Sequence, residues 1–235
     1  MKPLSRGSAS LALALALAGF AVPGGAEPPR RGPGPGTANP SALIAAEIAF
    51  NRLAREKGQW TAFRETADDE AVMFVPEPVM ARDWLKGRDN PPASVQWQPH
   101  QVWMSCDGTL GVTKGAWQRP DGSFGYFTTV WRLRKKGEYK WVMDQGDALP
   151  APLEAPEMLS ASVAECPPRR PGQPAKKPDT PERRSPGAEG GGTSDDGTLS
   201  WGYRVAPDHS RTISLSLRKD GAMAEVLSLS VAAPQ

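Results

Sequence analysis

Four apolar segments joined by three tight turns occupy residues 97–147, and no other stretch restricts the fold as much. The first runs Trp97-Gln-Pro-His-Gln-Val-Trp-Met104 and ends at Cys106-Asp107-Gly108. Leu110 to Arg119 follows, closed by Pro120-Asp121-Gly122. Phe124 to Arg134 is closed by Lys135-Lys136-Gly137, and Tyr139 to Gln145 completes the set. Alternating segments of this length, punctuated by Asp-Gly or Lys-Gly, predict β-hairpins. Together they predict a four-stranded antiparallel meander.

A type I turn closed by a glycine bulge places Gly108, Gly122 and Gly137 where φ is positive, and counting outwards from them sets a register. One face then carries Trp97, Gln101, Trp103, Thr113, Trp117, Thr129, Trp131, Tyr139, Trp141, Met143 and Gln145. The other carries Gln98, His100, Val102, Met104, Val112, Lys114, Tyr126, Val130, Val142 and Asp144. Five tryptophans and no formal charge mark the first face as the covered one. A slip of one residue would exchange the two sets.

The chain begins with an export signal. Lys2 and Arg6 precede an apolar run from Leu11 to Val22, and Gly24-Gly25-Ala26 offers small residues for cleavage after Ala26, so residues 1–26 are expected to be removed. The run is too short for an anchor, and no later stretch is apolar enough to span a bilayer. The expected location is periplasmic or secreted. Losing Lys2 and Arg6 takes the formal net charge from +2 to about zero, which gives no electrostatic case for nucleic acid or an anionic membrane surface.

Residues 27–38 read as a Pro/Gly-rich leader. Asn39-Pro40 is a helix cap followed by proline in the first helical position. From there to Lys57, Leu43, Ala46, Phe50 and Leu53, with Ile44 and Ile48, form an apolar stripe at helical spacing, and Gly58 stops the helix. A second short helix is expected over Trp60–Ala67, a strand over Ala71–Val75 ended by Pro76, and a third helix over Ala81–Gly87. Helices gathered on one side of an antiparallel sheet define an α+β fold, here residues 39–147.

The helix written Ser41-Ala-Leu-Ile-Ala-Ala-Glu47, the Ala67-Asp68-Asp69 before a strand, the Thr129-Val-Trp131-Arg132 strand and the closing Tyr139-Lys-Trp-Val-Met-Asp144 strand resemble the nuclear transport factor 2-like superfamily, in its SnoaL-like and exported bacterial branches. The resemblance covers roughly residues 41–147. It implies a cone, a curved sheet wrapped around the long N-terminal helix, with a cavity open at one end and a homodimer formed through the outer sheet face. Val102, Val112, Tyr126 and Val130 would supply that dimer face. The superfamily hosts isomerases, dehydratases, cyclases and plain binding modules, so the fold does not choose a function. Ketosteroid isomerase-like members carry an aspartate base at the end of the first strand, before a proline. Val75 occupies that position here, which argues against that mechanism.

Beyond the domain, residues 148–166 read as an extended tail with one helical turn, and residues 167–196 as a disordered Pro/Gly-rich linker. Residues 197–235 alternate over Leu199–Val205, Thr212–Leu217 and Ala222–Val231, a small β-meander of about three strands, too few to stand alone. No internal repeat is evident.

Few residues suggest chemistry. Cys106 and Cys166 form an even pair in an exported chain and are expected to bridge. The alternatives are two free thiols or a bridge between chains. With His100 and His209 far apart they make no zinc site, and no metal or cofactor is called for. Both histidines read as solvated surface groups. Glu47, beside Ile44 and Ile48, points either into the cavity as an acid or along a partly exposed salt-bridging ladder with Asn51 and Arg55. Tyr139 and Asp147 are the other conceivable proton carriers. The remaining wall, Trp97, Gln101, Trp103, Thr113, Trp117, Thr129, Trp131, Trp141, Met143 and Gln145, is either plain core or the lining of a site for a small apolar or planar compound. The leading expectation is a periplasmic binding module. The alternatives are an enzyme of lyase, dehydratase or isomerase type, or a structural dimerisation domain.

Overall fold

The computed structural model describes residues 37–167 and 186–234. The export signal, its cleavage after Ala26 and most of the 167–196 linker lie outside them.

The first helix, α1 (Pro40–Lys57), begins where the Asn39 side chain accepts the Ala42 N–H at 3.1 Å. It ends at Gly58, whose φ of 95° admits glycine and whose N–H returns to the Ala54 carbonyl. Leu43, Glu47, Phe50 and Ala54 form its buried stripe. Next come α2 (Gln59–Thr66), β1 (Ala67–Phe74), β2 (Pro78–Met80) and α3 (Ala81–Leu85). The meander is β3 (Gln96–Met104), β4 (Leu110–Gln118), β5 (Phe124–Leu133) and β6 (Tyr139–Ala148). Gly108, Gly122 and Gly137 all have positive φ, as their turns require. The tail adds β7 (Ser160–Val163) where a helical turn was expected.

These strands make one sheet in the order β2-β1-β6-β5-β4-β3-β7. It is mixed rather than wholly antiparallel, because β1 runs parallel to β6 and β7 parallel to β3. Both reach the sheet through long connections, and only hairpin-linked neighbours are obliged to be antiparallel. The three helices cover one face. Phe50, Trp97, Val102, Met104, Phe127, Trp131 and Trp141 lie in the core between them and the sheet.

Two bulges reset the faces. One lies in β3 between Pro99 and Gln101, the other in β6 where Trp131 pairs with Trp141 but Val130 pairs with Met143. An extra residue bends the strand and inverts the alternation beyond it. Val102 and Met104 therefore turn to the helix side. Trp103 and Met143 turn away from it, into a second core.

That second core lies under a second sheet, β8 (Glu189–Thr193), β9 (Leu199–Val205), β10 (Arg211–Lys219) and β11 (Ala222–Val231), ordered β11-β10-β9-β8. It has four strands, the extra one drawn from glycines read in the sequence as linker. Gly190 and Gly191 are required there: a Cβ on the first would stand 2.4 Å from the Tyr203 ring, and on the second 2.4 Å from the Trp201 carbonyl oxygen. Leu199, Tyr203, Ile213, Leu215 and Leu217 pack against Trp103, Leu110, Val112, Val130 and Met143. The outer face expected to hold a second subunit is thus covered by the chain's own C-terminal sheet. Of the residues expected there, Val102 faces the helices, and Val112 and Val130 are each 1 % exposed beneath this sheet.

A repeat joins the two sheets. Ser105-Cys-Asp-Gly-Thr-Leu110 recurs as Ser194-Asp-Asp-Gly-Thr-Leu199. In each turn the serine hydroxyl bonds the aspartate (2.6 and 2.7 Å), and the threonine N–H and hydroxyl both donate to that same carboxylate oxygen. The turns also bond each other reciprocally. The Asp107 N–H donates to Asp196 Oδ2 and the Asp196 N–H to Asp107 Oδ2, both at 2.9 Å; Cys106 N–H donates to Thr198 Oγ1 and Asp195 N–H to Thr109 Oγ1. Pro120-Asp-Gly-Ser123 and Pro207-Asp-His-Ser210 repeat likewise, each serine bonding its aspartate through both N–H and hydroxyl. Substitution of most strand residues hides this repeat from a scan along the chain. The Cys106–Cys166 disulfide is formed beside the paired turns.

Candidate functional site within the helix-covered face

Glu47 sits in the middle of the α1 stripe and is fully buried. A carboxylate there needs donors, and three converge on it. Trp97 Nε1 donates to Oε1 at 2.6 Å; Thr113 Oγ1 and Trp131 Nε1 donate to Oε2 at 2.5 and 3.0 Å. Trp131 Nε1 also reaches Thr113 Oγ1 at 3.1 Å. Loss of water raises the Glu47 pKa above the ordinary carboxylate range, against the lowering effect of Thr113, Trp97 and Trp131.

Sequence reasoning missed Asp144, which the β6 bulge carries from the expected outer face to the helix side. Its Oδ2 accepts the Thr129 hydroxyl at 2.7 Å. Burial pushes its pKa from 3.8 to about 7; the Thr129 bond opposes the rise and the nearby Glu47 charge adds to it. Glu47, Thr113 and Thr129 have no exposure, whereas Asp144 is only partly buried. The available signal was the lone carboxylate in Tyr139-Lys-Trp-Val-Met-Asp144, an acid in an otherwise apolar strand.

The surrounding tryptophans fill space. Phe50 meets Trp97, Phe63 and Trp131 edge to face with centroids 4.7, 4.8 and 5.9 Å apart. Trp141 gives its N–H to Thr66 Oγ1 at 3.0 Å. Trp117, half-buried, donates to the Tyr126 carbonyl and lies where a Cβ on Gly125 would be. Met73 is paired with Asp144, and further along β1 and beyond it stand the partly exposed Val75, Val79, Trp84 and Trp60. Trp60 and Trp84 meet at 5.4 Å, and the Arg88 guanidinium covers Trp84 at 3.7 Å.

Several residues expected at the site lie elsewhere, and Tyr139 packs at the edge of this core. Gln101 is exposed; Trp103, Met143 and Gln145 face the C-terminal sheet beyond the two bulges. The Tyr139 hydroxyl donates to the Gly108 carbonyl at 2.8 Å, and burial with the Asp107 charge pushes its pKa to about 12. Asp147 is paired with Tyr126 and accepts the Ala148 N–H. Of the three proposed proton carriers, Glu47 and Tyr139 lie on the helix side, and the Tyr139 hydroxyl is already committed to the Gly108 carbonyl. His100 is not a solvated surface group: it is 6 % exposed beside the β3 bulge, and burial, then Lys114, lowers its pKa. Asp68 pairs with Arg134 and Asp69 with Arg82. Among the described residues no three of His, Cys, Asp and Glu converge to hold a metal ion, and no helix is long and apolar enough to cross a membrane.

No protein-family model and no curated protein matches the chain. Three solved structures are similar in shape. A proposed ketosteroid isomerase from Parabacteroides distasonis ATCC 8503 is 16 % identical, with 49 % of this chain and 96 % of that one covered and a TM-score of 0.39. A proposed aromatic ring hydroxylase from Novosphingobium aromaticivorans DSM is 14 % identical over 48 % and 90 %, TM-score 0.34. A protein of unknown function with a cystatin-like fold from Methylobium petroleophilum PM1 is 9 % identical over 58 % and 99 %, TM-score 0.35.

Proposed function

We propose that this chain is an exported binding module for a small apolar or planar compound, held at the helix-covered face with its polar end on Asp144. The observation that carries the reading is the arrangement of Asp144. It is a partly exposed carboxyl in an aromatic wall, fixed by Thr129 and backed by the fully buried Glu47. A pKa near neutrality lets it donate or accept a hydrogen bond, which suits a ligand with one hydroxyl, carbonyl or amine on an apolar body. Trp60, Trp84, Val75 and Val79 supply the partly exposed apolar surface.

The second reading is acid–base catalysis of the lyase, dehydratase or isomerase type. It is favoured by the same pKa, since a proton carrier works best when its pKa is near the operating pH. In this reading Asp144 moves the proton and Glu47, locked by three donors, only tunes it.

Native mass spectrometry of the protein purified from a periplasm tests the binding reading. A defined small adduct is expected, lost in Asp144→Asn and retained in Trp103→Phe, which lies on the other face. An adduct that survives Asp144→Asn, or a clean mass under gentle conditions at every pH from 5 to 8, would overturn it.

A further inference from the structure

The seam between the two sheets has a polar end that the apolar packing does not explain. Lys114, Thr128 and Gln145 are cross-strand partners on β4, β5 and β6 and share the face turned to the C-terminal sheet. Strands lie roughly 4.8 Å apart, so Thr128 stands midway between Lys114 and Gln145, about 5 Å from each. Above Gln145 lies Arg211, the first residue of β10. It is 8 % exposed, its Nη2 donating to the Gly146 carbonyl at 2.9 Å and to Gln145 Oε1 at 3.4 Å, its guanidinium over the Phe74 ring at 5.1 Å.

Three donors in this row, Thr128 Oγ1, Gln145 Nε2 and Arg211 Nε, make no full hydrogen bond, although the Gln145 side chain lies against the Tyr126 hydroxyl. Thr128 is 1 % and Gln145 3 % exposed. A buried donor left unmade forfeits its hydration without return, so three side by side are a costly arrangement unless something accepts from them. The Asp147 carboxylate and Tyr126 lie near enough to favour the charge on Arg211, although no ion pair closes. Among the described residues neither Arg211 nor Lys114 is in a salt bridge. Lys114, half-buried with its ammonium 5.6 Å from the Tyr126 ring, stands where the seam meets solvent. Asp147 lies one row along, beside Tyr126, and bonds the Ala148 N–H.

We propose that this row is an anion site, and that a small oxyanion, either inorganic or the carboxylate of a small molecule, sits over Thr128 between Lys114 and Arg211. It would accept from Thr128 Oγ1, Gln145 Nε2 and Arg211 Nε and share the two cations with Asp147. The occupant ties β10 to β5 and β6, so its binding stabilises the docking of the C-terminal sheet. The site lies on the face opposite Asp144 and stands independently of the binding module proposed above.

The test is thermal unfolding and isothermal titration of the full chain with inorganic phosphate and with acetate, each against sodium chloride of equal ionic strength. Either oxyanion is expected to raise the melting temperature beyond chloride and to bind with a measurable Kd. Whichever arm responds identifies the occupant as inorganic oxyanion or carboxylate. Thr128→Val, which keeps shape and removes one unpaired donor, is expected to weaken that binding about tenfold or more while raising stability in anion-free buffer. Gln145→Leu should weaken it likewise, and Asp144→Asn should leave it intact. No excess over chloride in both arms, or full binding retained in Thr128→Val and Gln145→Leu, would overturn the proposal.

Discussion

Replacing Asp144 by asparagine should make the protein more stable at alkaline pH and nearly unchanged at acidic pH. The folded state holds the Asp144 proton to about pH 7, against an ordinary value of 3.8. A group whose folded pKa lies above its unfolded one binds its proton more tightly when folded. Its contribution to stability is therefore complete below about pH 4 and is lost as pH rises through 7. At about 1.36 kcal/mol per pH unit, that interval amounts to about 4 kcal/mol, an upper figure because partial exposure moderates it. Asparagine is isosteric, keeps an amide oxygen for the Thr129 hydroxyl and carries no charge to desolvate. Urea unfolding followed by tryptophan fluorescence at pH 4, 6 and 8.5 reads the effect directly. Wild type should lose up to about 4 kcal/mol across this range relative to Asp144→Asn, with the gap opening between pH 4 and 7. Parallel pH profiles would refute the reasoning, because the carboxyl would then titrate alike folded and unfolded.

Four further outcomes follow from other parts of the molecule. Replacing both Cys106 and Cys166 by serine releases a loop closed over a sequence separation of 60, and on the chain-entropy model costs about 4 kcal/mol in chemical unfolding. Gly115→Ala would place a Cβ 1.9 Å from the Gln98 carbonyl oxygen, which is backbone and unable to step aside; a loss of about 2–4 kcal/mol is expected in the same assay. Trp131→Phe removes one of the three donors to the fully buried Glu47 carboxyl and should cost about 1–3 kcal/mol in the same assay. Light scattering at high concentration should give a monomer, because the C-terminal sheet already covers Val112 and Val130; a stable dimer disrupted by substitutions on β4 or β5 would contradict that.

Local signals carried most of the architecture. Asn39-Pro40 and Gly58 bound α1 because capping and positive φ are decided within a few residues. Gly108, Gly122 and Gly137 bound the meander for the same reason. The Cys106–Cys166 pairing was also legible, from an even pair in a chain read as exported. Two bulges defeated the reading of the site. An added residue near Pro99 or Val142 leaves the turns and strand lengths unaltered, yet it exchanges every side chain beyond it. Trp103, Met143 and Gln145 went to the wrong face in consequence, and Asp144 was missed. Glu47 was ambiguous because its neighbours on the helix do not say whether donors wait opposite; Trp97, Thr113 and Trp131 come from three other strands. The glycines of β8 look like linker until the rings of Trp201 and Tyr203 are seen lying on them.

The proposed function rests on an interior carboxyl that keeps its proton near neutrality. Carbon-13 NMR of the Asp144 side-chain carboxyl, assigned by its disappearance in Asp144→Asn and titrated from pH 3 to 9, measures that property. A midpoint near 7 supports the account. A midpoint in the ordinary aspartate range, near 3.8, would contradict it and leave Asp144 a solvated surface charge.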